Sequence, residues 1–291
     1  MKSPPFSYVR ATTLAEAFKL WSAAGPDARL LAGGQSLLAS LAFRLSEPPM
    51  LIDISRLDEL RGISEKLGVV RVGALTTHSE LGAHALVQRH LPLLVEAVPL
   101  IAHPAIRNRG TIGGSLAFAD PAAELPACCV AMEAQIVVAS PAGERRVPAA
   151  QFFTGLYAVA LGPGELISAV EFPVAKNTDR FAILEVARRS GDYAIAGLAV
   201  KAKLAGTTLI DPRIACFGVG DKAVLADKAM AAIAGRAATP DNVAAAQAAL
   251  DGDVDPPADL HGSPEMKRHL ARVLLGRALR RIGGTEGARA A

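Results

Sequence analysis

The sequence predicts an α+β protein in two parts. A unit over 1–177 itself divides near residue 57, and a C-terminal unit over 178–291 combines a three-stranded antiparallel sheet with a helical bundle. Three observations carry this expectation. Residues 29–54 read as strand, glycine turn, helix-like stretch and strand, a compact βαβ-type unit. Residues 173–179 (PVAKNTD) form a polar, proline-led break. Beyond it come three consecutive strand patterns and then only Ala-rich helical ones, the order of a separate α+β unit.

Each element has a local reason. Thr13-Leu14-Ala15-Glu16 is a capping box, and Leu14, Ala17, Phe18 and Trp21 recur at helical spacing until Gly25. Residues 29–31 read as a short strand, 37–45 as an apolar helix-like stretch stopped by Pro48-Pro49, and 50–54 as a strand. A hairpin is expected over 63–73, then a helix over 77–85 opened by a second capping box, Thr77-x-x-Glu80, and a buried helix over 91–102. Residues 103–125 show neither period yet are too apolar for an ordinary surface loop, the profile of a functional segment. Inside it, Asp120-Pro121 has the N-cap and N1 chemistry of a helix over 122–132, so Asp120 is read first as a cap. Strands near 135–139 and 165–172 complete the first unit. Strands over 181–187, 194–204 and 209–218 and helices from Lys222 make the second, and the last residues, 283–291, read as frayed.

Composition narrows the function. With 51% hydrophobic residues the chain can bury a core, which excludes disorder as a class. Only 4% are aromatic, too few for a base-stacking platform, and a net charge of +3 is no footprint for nucleic acid. Cys128, Cys129 and Cys216 have no CxxC spacing, and the side chains of adjacent cysteines diverge, so no zinc or iron–sulfur site is expected. His78, His84, His90 and His103 form no ligand spacing, and no nucleophile-elbow context appears. Neither a metal nor a covalent nucleophile is assigned. The opening MKSPPFSYVRATT lacks an apolar signal core, and the chain reads as soluble, reduced and cytoplasmic.

Two glycine segments carry the chemistry. Ala32-Gly33-Gly34-Gln35-Ser36-Leu37 puts a glycine pair directly after a strand, where positive φ and close approach become available. Successive N–H groups in such a turn form an anion-binding concavity, and Ser36 adds a hydroxyl. No GK[ST] follows, so this is not a Walker loop, and a turn that merely packs is the competing reading. Thr111-Ile112-Gly113-Gly114-Ser115 offers a second set of backbone donors, and two such loops facing each other would suit a diphosphate. A third candidate, Gly218-Val219-Gly220-Asp221-Lys222-Ala223, follows a strand and precedes a helix, but no second parallel strand with an acidic ribose ligand comes after it.

These motifs resemble the FAD-binding medium subunits of the molybdenum hydroxylases, the group of carbon monoxide dehydrogenase and the quinoline-type oxidoreductases, and the flavin domain of xanthine dehydrogenase. The likeness runs the whole length: AGGQSLL from 32, IRNRGTIGGSLAFADPAAE at 106–124, FF…GEL…EFP at 152–173 and ARRSGDYA at 187–194. It implies a flavin-binding fold of the vanillyl-alcohol-oxidase (PCMH) type over 1–177 followed by the family's C-terminal domain. It implies FAD as cofactor, with Ala32, Gly33, Gly34, Gln35, Ser36 and Leu37, and Thr111, Gly113, Gly114 and Ser115, around the diphosphate, ribityl and ribose groups. Glu124 would accept from cofactor hydroxyls, Ile101 and Leu161 would line the cofactor, and Tyr193 would stack on or gate the isoalloxazine, against the alternative of a buried strand tyrosine. Phe118 stands where histidine is common and Glu185 where some members carry lysine, both near the flavin; Arg188-Arg189 read as interface residues, with a solvated strand face as the alternative. The implied partners are a large molybdenum-cofactor subunit and a small subunit with [2Fe–2S] clusters, in a dimer of heterotrimers that passes electrons to an external acceptor. A self-sufficient FAD-dependent oxidoreductase of the same fold, or a nucleotide-binding module without redox work, remain the alternatives.

Overall fold

Residues 7–54 build a small parallel sheet in which Met50–Asp53 is central, flanked by Ser7–Arg10 and Arg29–Leu31. The first helix, Leu14–Ala24, starts where expected: the Thr13 hydroxyl accepts from the Glu16 amide, while the Glu16 carboxylate reaches one residue further, to the Thr12 amide (2.7 Å). Gly25, at φ 82°, ends it by donating to the Trp21 carbonyl. The apolar stretch after the first glycine turn forms the short helix Leu37–Ala42. The computed structural model describes residues 3–284, so from 285 on the end predicted to fray lies outside the described residues.

The second layer is a five-stranded antiparallel sheet in the order Ile63–Lys66, Val69–Gly73, Leu166–Pro173, Gln135–Ser140, Gly143–Pro148. The predicted hairpin and the Thr77–Glu80 capping box are both present. The expected single helix over 91–102 is shorter, Pro92–Ala97, preceded by Ala85–His90 and followed by a turn through Ala102.

The C-terminal sheet contains the three expected long strands, Asp179–Ala187, Ala194–Ala205 and Thr208–Phe217, all antiparallel and extended by two short strands. Antiparallel pairing removes the Rossmann reading of 218–223. Gly218, at φ 73°, follows the end of a strand, and among the described residues no parallel neighbour comes after it. One sheet face, with Leu198, Val200 and Cys216, packs on the helices Asp227–Ile233, Pro240–Ala249 and Pro264–Ile282. The other, with Ala199, Ala215 and Phe217, joins the central core of the first unit. All eight residues of helix Glu124–Ala131 are buried, as a helix enclosed on every side must be. That enclosure erased the amphipathic period, and the helix starts at Glu124, with Ala123 as its cap. Asp120 is therefore not the cap: its carboxylate accepts from the Ala122 amide (2.9 Å) in a local turn before the helix.

Candidate functional site

The two glycine turns meet. Gly33 rests on the main chain of Arg109 and Gly110, so that a Cβ at position 33 would collide with the Arg109 carbonyl and lie 3.0 Å from the Gly110 Cα. Gly34 takes the left-handed conformation, φ 74°, and Gln35 Nε2 donates back to the Gly33 carbonyl (3.0 Å). Among the described residues, the N–H groups of 33 to 37 find no acceptor. Ser36 makes no side-chain cap to the helix that follows. The turn from Ala32 to Leu37 is thus half-buried, braced and lined by uncommitted donors, the arrangement an anion exploits.

The second turn departs from expectation. Thr111 caps helix Ile112–Phe118 by accepting from the Gly114 amide (3.1 Å). Residues 74–78 run antiparallel to 110–113, with His78 N–H donating to Gly110 (2.9 Å), Ile112 N–H to Thr76 (3.0 Å) and Gly113 N–H to Ala74 (2.9 Å). The Ser115 amide is spent on the Thr111 carbonyl. The second glycine pair therefore supplies no free backbone donors. Its glycines serve close approach instead: a Cβ at 113 would lie 2.6 Å from that of Ala74, whereas Gly114 is exposed.

The remaining predicted residues lie in or beside the central core. Ile101 is buried in a turn that ends at Ala102, φ 43°. Gly191, φ 83°, seats directly on Ala102, and Tyr193 follows two residues later, 62% exposed, which excludes the buried strand tyrosine. Glu124 is buried, and burial pushes its carboxyl up to about 8, with the Glu185 and Asp120 charges adding to the effect. Burial likewise raises Glu185 to about 7, and one of its oxygens has no partner. Burial and then the Asp120 charge raise the phenols of both Tyr157 and Tyr193, which places these groups around one another. Leu161 is half-buried against the same central core that contains Ile101. Arg188 reaches the Leu260 carbonyl within the chain, while Arg189 is exposed.

Tyr157 and Thr76 escape the sequence reading, in which His78 is only a histidine without ligand spacing. Tyr157 sits at φ 51° with its ring 5.1 Å from that of Phe118 in an edge contact; with only three tyrosines in the chain, its place in a glycine-led turn was the available signal. His78 and Thr76 are buried beside Gly110 and Ile112, and both His78 ring nitrogens and the Thr76 hydroxyl lack partners. Burial holds His78 at about 4, further lowered by the Arg107 charge and only partly offset by the Thr111 backbone, so it is neutral near pH 7.

A braced glycine turn with free amides, the buried Glu124 carboxyl and the exposed Tyr157 and Tyr193 rings are the features of a nucleotide-cofactor type of site, and the orphaned polar groups beside the turns fit a polar cofactor. Residues 4–175 match the family model for the FAD binding domain in molybdopterin dehydrogenase, and 181–282 that for the CO dehydrogenase flavoprotein C-terminal domain. The chain belongs to the family of FAD-binding medium subunits of molybdenum-containing hydroxylases and dehydrogenases, and is a flavoprotein of oxidoreductase type. It is 39% identical to the carbon monoxide dehydrogenase medium chain of Hydrogenophaga pseudoflava, over 96% of this chain and 97% of that one. To the 6-hydroxypseudooxynicotine dehydrogenase complex subunit alpha of Paenarthrobacter nicotinovorans it is 40% identical, over 96% and 95%. Among solved structures it superposes on carbon monoxide dehydrogenase from Hydrogenophaga pseudoflava at a TM-score of 0.95, with 40% identity over 98% of this chain and 99% of that one. Quinoline 2-oxidoreductase from Pseudomonas putida 86 gives 0.93, with 36% identity over 98% and 99%. No helix among the described residues is long and apolar enough to cross a membrane.

Proposed function

We propose that this chain is the FAD-carrying electron-transfer subunit of a cytoplasmic heterotrimeric molybdenum hydroxylase. Its partners are a large molybdenum-cofactor subunit and a small [2Fe–2S] subunit, paired as a dimer of heterotrimers. When bound, the flavin exchanges one or two electrons between the partner's clusters and an external acceptor. The chain's own part is binding and orientation. The free amides of the Ala32–Leu37 turn hold the diphosphate; of the second turn, exposed Gly114 and half-buried Ser115 border the cofactor, while buried Thr111 and Gly113 fix the shape of the turn from beneath. Glu124 accepts from the cofactor hydroxyls, and Ile101, Leu161 and Tyr193 border the ring system. The division of labour follows 1–177 for the cofactor and 178–291 for the second wall and the partner-facing sheet unit.

The observation that carries this reading is the seating of Gly33 on Arg109–Gly110, which sets a donor-rich turn beside the second glycine turn. The purified full chain, reconstituted with FAD, should show a bound flavin spectrum and release FAD, not FMN, on denaturation. Co-expression with the neighbouring subunits should yield molybdenum and iron in one complex. A chain that binds no flavin ends the cofactor assignment; a flavin-loaded chain that never assembles with metal-bearing subunits ends the heterotrimer.

A further inference from the structure

Helix Pro104–Arg107 follows the turn at 99–102, and its last residue reaches back over that turn. A single nitrogen, Arg107 Nη1, donates to the carbonyls of Ile101 (2.8 Å) and Ala102 (2.8 Å), with a longer contact to Pro99 (3.4 Å). Among the described residues no carboxylate forms an ion pair with Arg107, so its charge is spent on main-chain oxygens. Charge-assisted hydrogen bonds are stronger than neutral ones, and these grip both sides of a strained residue. Ala102 lies at φ 43°, a region that residues with a side chain rarely occupy without support from their surroundings.

The strained turn is also a seat. Gly191 packs so closely on it that a Cβ at 191 would lie 2.8 Å from the Ala102 carbonyl carbon and 3.3 Å from its Cα. The loop bearing Tyr193 therefore takes its height from the position of Ala102, and Ile101 takes its direction from the same turn.

We infer that Arg107 is a positioning residue of the flavin site: by clamping the 99–102 turn it fixes where Ile101 and the Tyr193 loop stand relative to each other. This rests on the reading that Ile101 and Tyr193 border the cofactor. Arg107 acts through two main-chain carbonyls and the seat of Gly191.

The test uses the full chain loaded with FAD and three variants, Arg107→Gln, Arg107→Lys and Gly191→Ala. Flavin emission, reoxidation by dioxygen after chemical reduction, FAD content and thermal midpoint are read for each. Arg107→Gln should lift the Tyr193 loop, brighten the bound flavin and change its reoxidation rate, while FAD affinity falls by no more than about tenfold. Because one nitrogen makes all the contacts, the three donors of a lysine ammonium should restore most of the wild-type emission and rate. Gly191→Ala should reproduce the glutamine phenotype with Arg107 intact, and it decides the matter if Arg107→Gln does not fold. Wild-type emission and reoxidation in Gly191→Ala or in a folded, FAD-loaded Arg107→Gln would overturn the inference and leave the cofactor assignment standing. A fall in thermal midpoint with unchanged flavin signals would overturn it too, as the mark of a purely structural arginine. A wild-type chain that binds no flavin would instead remove the cofactor reading, and this inference with it.

Discussion

Gly33 lies against the carbonyl of Arg109, two residues before Thr111. This one approach, between residues far apart in the chain, joins the parallel sheet to the antiparallel layer at the point where both glycine turns emerge. No side chain fits there, because what a Cβ would meet is backbone, which cannot rotate aside.

Gly33→Ala should therefore either part the two turns or strain both, costing about 1–3 kcal/mol as overpacking does. Titration of FAD into the stripped chain should show affinity reduced by about tenfold or more. Wild-type affinity would show that the approach is incidental to the cofactor.

The second glycine pair should split by position. Gly113 packs on Ala74, so Gly113→Ala should lower the urea midpoint. Gly114 is exposed and a Cβ there meets only the Thr111 hydroxyl, at 2.9 Å, so Gly114→Ala should keep the fold better while weakening FAD retention. Equal loss of stability in both variants would contradict the division.

Glu124 makes a prediction with a definite sign. Its folded carboxyl is raised to about 8 from the ordinary 4.5, so between those values the folded cofactor-free chain keeps a proton that the unfolded chain gives up. Stability contributed by the neutral carboxyl is full below 4.5 and is lost as pH rises toward 8, by up to about 1.4 kcal/mol per pH unit. Glu185 adds in the same direction up to about pH 7. Urea unfolding across pH 5 to 8 should show the decline, and Glu124→Gln should flatten it. Glu124→Ala should also weaken FAD binding by about 1–3 kcal/mol, the cost of leaving hydroxyls unpaired.

Tyr193→Ala should change flavin reoxidation more than FAD affinity, because an exposed ring at the mouth of the site controls access rather than holding the nucleotide. Stopped-flow reoxidation beside equilibrium binding separates the two; unchanged kinetics would take Tyr193 out of the site.

Thr77→Ala removes one half of a complete capping box and should cost about 1 kcal/mol in chemical unfolding. The same cap holds the strand-like run 74–78 that pairs with 110–113, so the loss should be felt at the second glycine turn as well.

Much of the fold was legible because its signals are local. Thr13, Thr77 and Gly25 mark helix ends by hydrogen bonds made within a few residues, and the three long C-terminal strands each pair with a sequence neighbour, so their order along the chain is also their order in the sheet. Helix Ile112–Phe118 was missed because Gly113 and Gly114 read as a loop, and their helical conformation is imposed by pairing with 74–78. The start at Glu124 was missed because Asp-Pro chemistry serves a turn as well as a cap. Of the site, the residue types were legible and their partners were not. Nothing local shows that Gly191 sits on Ala102 or that Arg107 turns back to Ile101.

By itself the sequence determined the elements, the two glycine turns and the family pattern they spell, since these depend on φ preferences, caps and side-chain periodicity along short stretches. Only the tertiary structure decided which amides are left to bind. Among the described residues those of Gly33–Leu37 face no acceptor, whereas those of Ile112–Ser115 are consumed by residues 74, 76 and 111. The physical reason is that a buried N–H must find a partner somewhere, and which turn keeps its donors free depends on what the rest of the chain folds against it.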